Sequence, residues 1–85
     1  MSISIEEHFE NMGFAQVEPG MWFREFTHPE NGSRFEVTAR IHRDGRINVL
    51  YQRNGRLHKK RNYTRSPAVT ARAIKVSVTN AGFQI

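Results

Sequence analysis

Residues 34–63 read RFEVTARIHRDGRINVLYQRNGRLHKKRNY, and the interpretation of this stretch decides the fold. Two short corners, Arg43-Asp44-Gly45 and Arg53-Asn54-Gly55, divide it into three segments. Asp-Gly and Asn-Gly between alternating apolar residues are strong hairpin signals. In the first segment Phe35, Val37, Ala39 and Ile41 share one face, while Arg34, Glu36, Thr38, Arg40 and His42 share the other. In the second, Ile47, Val49 and Tyr51 oppose Asn48, Leu50 and Gln52.

Parity selects the turn. A two-residue Asp44-Gly45 loop would put Ile47 and Val49 on the face of His42 and Arg40. A three-residue loop, with Gly45 as a left-handed bulge, pairs Ile41 with Ile47 and Ala39 with Val49. Only the second keeps one face apolar. The same argument at the next corner places Leu57 beside Tyr51, so type I turns with a glycine bulge are expected at both corners.

The third segment, Arg56 to Thr64, carries Arg56, Lys59, Lys60 and Arg61 with His58 and no carboxylate. Lysines guard edge strands against edge-to-edge pairing, but one or two suffice for that, and a run suggests a polyanion. The wider charge distribution agrees. Residues 1–33 hold six glutamates against Arg24, and residues 34–85 hold twelve Lys/Arg against Glu36 and Asp44. One electropositive surface with a polyanionic partner is the implication, and an acidic protein surface would satisfy it as well as nucleic acid.

The 85 residues make a single small domain. With no cysteine, a disulfide framework and a thiolate metal site are excluded. No apolar run approaches the ~20 residues of a membrane span and the N-terminus has no signal-peptide pattern, so a cytoplasmic protein without membrane contact is expected.

Around the central stretch, Ser4 and Glu7 form a capping box, and Ile5, Phe9 and Met12 lie along one face of a short helix. Gly13 suits its left-handed stop, with Phe14 folding onto Phe9. Ala15 to Gly20 reads as a connector with a turn at Pro19-Gly20, and Met21 to Thr27 as the first strand. A four-residue loop, Pro29 to Gly32, would pair His28 with Ser33 and Phe26 with Phe35, making Trp22 and Phe26 core residues. Phe23 then faces the other way, near Arg40 and Leu50, either covered by a helix or free to stack on bases.

Ser66-Pro67 starts the last element. Ile74, Val76 and Val78 alternate as in a strand; as a helix, Val69, Ala73, Val76 and Ala81 line one face, with Ile74 and Val78 beside it. The ending Asn80-Ala81-Gly82-Phe83 repeats the form Asn11-Met12-Gly13-Phe14, which favours a helix from about Pro67 to Ala81. The expected fold is α+β in two layers: an antiparallel four-stranded sheet with both helices on one face, in the order α-β-β-β-β-α.

His8, His28, His42 and His58 form no metal-ligand spacing, and no phosphate loop or nucleophile elbow occurs, so no metal or cofactor is implied. The candidate binding residues are Arg40, Arg43, Arg46, Arg53, Arg56, His58, Lys59, Lys60, Arg61 and Arg65. Guanidinium groups suit phosphate through paired, coplanar hydrogen bonds, and such contacts position a nucleic acid without reading its bases.

Several pieces resemble the HicA-type mRNA-interferase toxins, small basic proteins with a fold like the double-stranded-RNA-binding domain. They are Asn11-Met12-Gly13-Phe14, Gly20-Met21-Trp22, Phe26-Thr27-His28-Pro29-Glu30-Asn31-Gly32, Phe35-Glu36-Val37-Thr38 and Thr79-Asn80-Ala81-Gly82-Phe83. The resemblance covers the two ends and the first hairpin, and it implies RNA as the polymer. The family's catalytic histidine follows Gly-Ser, where this chain has Trp22, and Asn48 to Tyr63 forms an additional basic strand. His28, in the His-Pro step, is the remaining match for catalysis. The expected function is therefore nucleic-acid binding, RNA before DNA, by a basic outer strand and its turns. The alternatives are an adaptor or inhibitor for an acidic protein, as accessory proteins of mobile elements provide, and a ribonuclease of the interferase type.

Overall fold

A computed structural model describes residues 3–85. Its elements are α1 (Ile5–Asn11), β1 (Ala15–Glu18), β2 (Met21–Thr27), β3 (Arg34–Ile41), β4 (Ile47–Arg53), β5 (Arg56–Tyr63) and α2 (Pro67–Asn80). The strands form one antiparallel sheet in chain order, β1-β2-β3-β4-β5. The class is α+β as expected, but with five strands rather than four. The connector Ala15 to Gly20 is itself a strand, turned at Pro19-Gly20 so that Glu18 opposes Met21. Its four residues are all exposed, and they bulge between Gln16 and Glu18. A strand that buries nothing leaves no hydrophobic alternation to read.

Both helices cover one face. Phe9 of α1, Met12 at its C-terminal cap and Ala71, Ile74 and Val78 of α2 are buried with Trp22, Phe26, Phe35, Val37, Ala39, Ile47, Val49 and Tyr51 of the sheet. Each fully buried side chain of this size contributes about 1.5–3 kcal/mol, so the single core supplies most of the stability. Phe26 opposes Phe35, and His28 pairs with Ser33 by a backbone bond of 2.8 Å, as the four-residue loop requires.

The helix ends match each other. Ser4 Oγ accepts from Glu7 N (3.1 Å), and Ser66 Oγ accepts from Val69 N (3.4 Å). At the far ends Phe14 N reaches Phe9 O (2.9 Å) and Phe83 N reaches Val78 O (3.2 Å), with Gly13 and Gly82 at φ 81° and 98°. These are paired Schellman stops. Each delivers an aromatic to the core: Phe14 lies 5.1 Å from Phe9, and Phe83 stacks on Phe35 at 5.4 Å.

The face that α2 buries differs from the one its valines suggest. Thr70, Ala71, Ile74, Ser77 and Val78 point inward, while Val69 and Val76 are 45% and 51% exposed. The two buried hydroxyls have partners: Thr70 Oγ1 donates to Arg65 O (3.4 Å), and Ser77 Oγ accepts from Lys59 Nζ (2.9 Å). A buried hydroxyl with a partner avoids the desolvation cost that would otherwise turn the helix.

The β3–β4 corner forms as expected. Gly45 N donates to His42 O (3.0 Å), His42 N donates to Arg46 O (2.8 Å), and Ile41 opposes Ile47. The β4–β5 corner does not. Asn54 and Gly55 both have positive φ, 51° and 82°, so the loop has two residues in a type I′ geometry, and Arg53 opposes Arg56. Leu57 therefore lies opposite Gln52, not beside Tyr51, and is 59% exposed. An irregularity at His58 restores the parity, so that Lys59 opposes Tyr51. Asn54 is held in the left-handed region by β3: its Oδ1 accepts from Arg34 N (2.8 Å) and its N donates to Arg34 O (2.9 Å). Asp44 does something else, accepting from Arg46 N (3.1 Å).

Candidate nucleic-acid interface

Strand pairing sorts the ten candidate residues by face. Arg40 lies on the open face with Lys60, because Arg40 opposes Asn48 and Lys60 opposes Leu50. Lys59 and Arg61 lie on the covered side of the edge strand, opposite Tyr51 and Val49. His58 meets the ring of Phe35 edge-on at 5.5 Å. The run that reads as one patch is thus divided by the pleat.

Two of the ten hold the fold together. Lys59 Nζ, besides reaching Ser77, sits 5.0 Å from the Tyr51 ring centre. Arg53 Nη2 donates to Ala81 O (2.7 Å) at the end of α2, and its guanidinium lies 5.8 Å over Phe83. Cations near a helix C-terminus complement its dipole. Two others have carboxylate partners: Arg40 is 3.9 Å from Glu18, and Arg46 is 2.8 Å from Asp44. A hydrogen bond from Arg46 N and the nearby Arg46 guanidinium hold the Asp44 carboxyl below its ordinary range.

The remaining cations, Arg43, Arg56, Lys60, Arg61 and Arg65, are exposed and form no ion pair among the described residues. Their placement follows the meander. Arg43 is in the β3–β4 turn, at the end of the sheet where β5 finishes and Arg65 leads into α2. Arg56 is at the opposite end, about 20 Å away at ~3.3 Å per strand residue. Lys60 and Arg61 lie between, near the Arg43 end. Arg56, Lys60, Arg61 and Arg65 therefore follow the β5 edge, Lys60 and Arg61 on opposite faces of it, and Arg43 stands in the turn at the end of the sheet where β5 finishes.

Sequence reasoning singled out Phe23 and left its cover open. No helix covers it. It is half-buried on the open face, in a row that runs Ala15, Phe23, Thr38, Leu50 and Lys60 across the sheet. Beside this row lie Met21, Arg40, Asn48 and Asn62. Parts of the two rows line a shallow depression of about 360 Å³, with Met21, Thr38 and Leu50 as its floor, Arg40, Lys60, Asn48 and Asn62 around it, and Val49 and Arg61 at its β4–β5 side; Phe23 lies next to it along the row rather than in its lining. Met21, Asn48 and Asn62 were not distinguishable beforehand, because the depression exists only once the four strands are in register. Asn48 Nδ2 meets His42 Nε2 at 2.7 Å, which anchors one wall.

His28 belongs to a different place. It lies in the β2–β3 loop at the Arg56 end, 6.1 Å from Phe83 and edge-on to it, and its Nδ1 accepts from Glu30 N (3.2 Å). The cleft there, about 520 Å³, also carries Arg24, Glu25, Glu30 and Gln84. Trp22 is buried in the core and stacked on Phe9 at 5.8 Å; its Nε1 has no partner. Among the described residues no helix is long and apolar enough to cross a membrane. Comparison with family models, curated proteins and solved structures finds no match for this chain.

Proposed function

We propose that this chain binds nucleic acid through the cations along its β5 edge and β3–β4 turn. The observation that carries the reading is that Arg56, Lys60, Arg61 and Arg65 along the β5 edge and Arg43 in the β3–β4 turn are exposed without carboxylate partners. Unneutralised cations match the sign of a phosphate backbone and release its counterions on binding. The resemblance to interferase toxins favours RNA over DNA. Catalysis is not part of the proposal, since Trp22 is buried and His28 lies in a separate cleft with Glu25 and Glu30.

The test is a titration of labelled RNA and DNA at several salt concentrations with the wild type and with Arg56→Ala/Lys60→Ala/Arg61→Ala. Lys59 is left intact because it supports the fold. The triple variant is expected to bind more weakly and to lose roughly 2–3 from the magnitude of its log–log salt slope, about 0.7–0.9 per phosphate contact. An unchanged affinity and slope would mean that β5 only guards an edge. Retention of an acidic protein with no binding to either nucleic acid would establish the adaptor reading instead.

A further inference from the structure

We infer that the open face of the sheet is a stacking platform for a single strand, with unpaired bases on Phe23 and Leu50 and phosphates at Arg40 and Lys60. This deepens the nucleic-acid reading and rests on it. The first argument is the composition of the depression. Its floor, Met21, Thr38 and Leu50 beside Phe23, is largely apolar, and cations and amides stand around it: Arg40, Lys60, Arg61, Asn48 and Asn62. Apart from the Thr38 hydroxyl, the floor offers no polar partner to a phosphate or a ribose. It suits the π-face of a base, while the surrounding cations suit the backbone to which that base is attached.

The second argument is shape. A duplex hides its base faces in the stack, so this floor could meet a duplex only through the grooves. Five strands at ~4.8 Å spacing make a surface about 19 Å wide between the outer strands, against a major groove of about 12 Å. A face of that width does not fit inside a B-form major groove. A single strand can instead cross it, from Phe23 on β2 through Thr38 and Leu50 to Lys60 on β5, a distance of about 14 Å that accommodates a few nucleotides.

The third argument is where the face ends. One row further along, Glu25, Glu36, Gln52 and Leu57 oppose one another, and the two carboxylates are directly paired. They repel phosphate and confine a bound strand to the half of the face nearer Arg43. Glu18 lies 3.9 Å from Arg40 and is exposed at the β1 margin, where it weakens that side relative to Lys60. Polarity thus increases toward β5, and the stacked segment leads onto the same edge that carries the free cations. The asparagine amides of Asn48 and Asn62 lie opposite each other on β4 and β5, within the walls, where a base edge would meet them.

The experiment measures anisotropy of labelled oligouridine, oligothymidine and a duplex of equal length with the wild type, Phe23→Ala and Thr38→Glu. Circular dichroism checks the fold of each variant, and Thr38→Glu places a carboxylate in the path without removing apolar packing. The expected result is tighter binding of the single strands than of the duplex. Phe23→Ala should lower single-strand affinity roughly 5- to 100-fold, the size of one lost base stack, with the salt slope unchanged. Thr38→Glu should lower it with a smaller slope. Equal binding of duplex and single strand, indifferent to both variants, would overturn the platform and leave the edge reading standing. Absence of binding to all three polymers at low salt would overturn both.

Discussion

Lys59 and Lys60 are adjacent, identical in chemistry and opposite in role. Lys59 turns under the edge to donate to Ser77 and to lie against the Tyr51 ring, whereas Lys60 stands on the open face. Charged hydrogen bonds and cation–π contacts of partly buried groups are each worth about 1 kcal/mol. Lys59→Ala should therefore lower the unfolding free energy by about 1–2 kcal/mol in urea, while Lys60→Ala should stay within about 0.5 kcal/mol. Equal effects would mean that the Ser77 contact contributes nothing. The neighbouring Tyr51 is fully buried, and burial together with the Tyr63 hydroxyl at 3.2 Å pushes its pKa far above 10.0. A raised folded-state value keeps its full contribution below the unfolded pKa and loses it above, because the unfolded chain then releases the proton first. Stability should fall as pH rises beyond about 10, and Tyr51→Phe should flatten that fall in pH-dependent urea titrations. A fall of unchanged steepness would assign it to other groups. Neither role could be read from residues 59–61 as a charge run, since the inward or outward sense of each side chain depends on a register that the run itself does not encode.

Strand register was legible wherever apolar residues alternate and illegible where they do not. Phe35, Val37, Ala39 and Ile41 against Ile47, Val49 and Tyr51 admit a single pairing, and that pairing is observed. Beyond Arg53 the only alternating apolar signal is Leu57, so the corner was governed by local chemistry: Asn54 enters the left-handed region, where Asp44 does not. The same reasoning explains α2, whose inward side follows Ile74 and Val78 rather than Val69 and Val76 and admits Thr70 and Ser77 because both hydroxyls find partners. An element-level conflict also persists in the sheet. Glu25 on β2 and Glu36 on β3 are directly opposed, and like charges in that arrangement are destabilising. Glu36→Gln should stabilise the protein by about 0.2–1 kcal/mol, read as a higher urea midpoint at low salt that converges with the wild type at high salt. A midpoint that drops would show that Glu36 has a favourable role outweighing the repulsion.

At the scale of the whole molecule, the two-layer plan followed from there being one apolar face on the central strands and two amphipathic helices to cover it. The open face was less accessible, because its depression draws one to three residues from each of four strands and none of them stands out alone. The sheet is a meander in which each strand pairs with its chain neighbours, and that arrangement has a consequence for how the protein is made. All five strands can pair as they leave the ribosome, since each needs only the one before it. The helix that closes the core over Phe35, Val49 and Tyr51 comes after the last strand. At about 5–20 residues per second, the stretch from Thr64 to Phe83 takes roughly 1–4 s to synthesise. During that interval the nascent sheet, covered by α1 alone, has part of its apolar face bare and a fresh edge at β5, the combination that seeds misassembly between neighbouring chains. The arginines and lysines of β5 emerge just before the interval opens, so nascent copies repel one another there until α2 arrives.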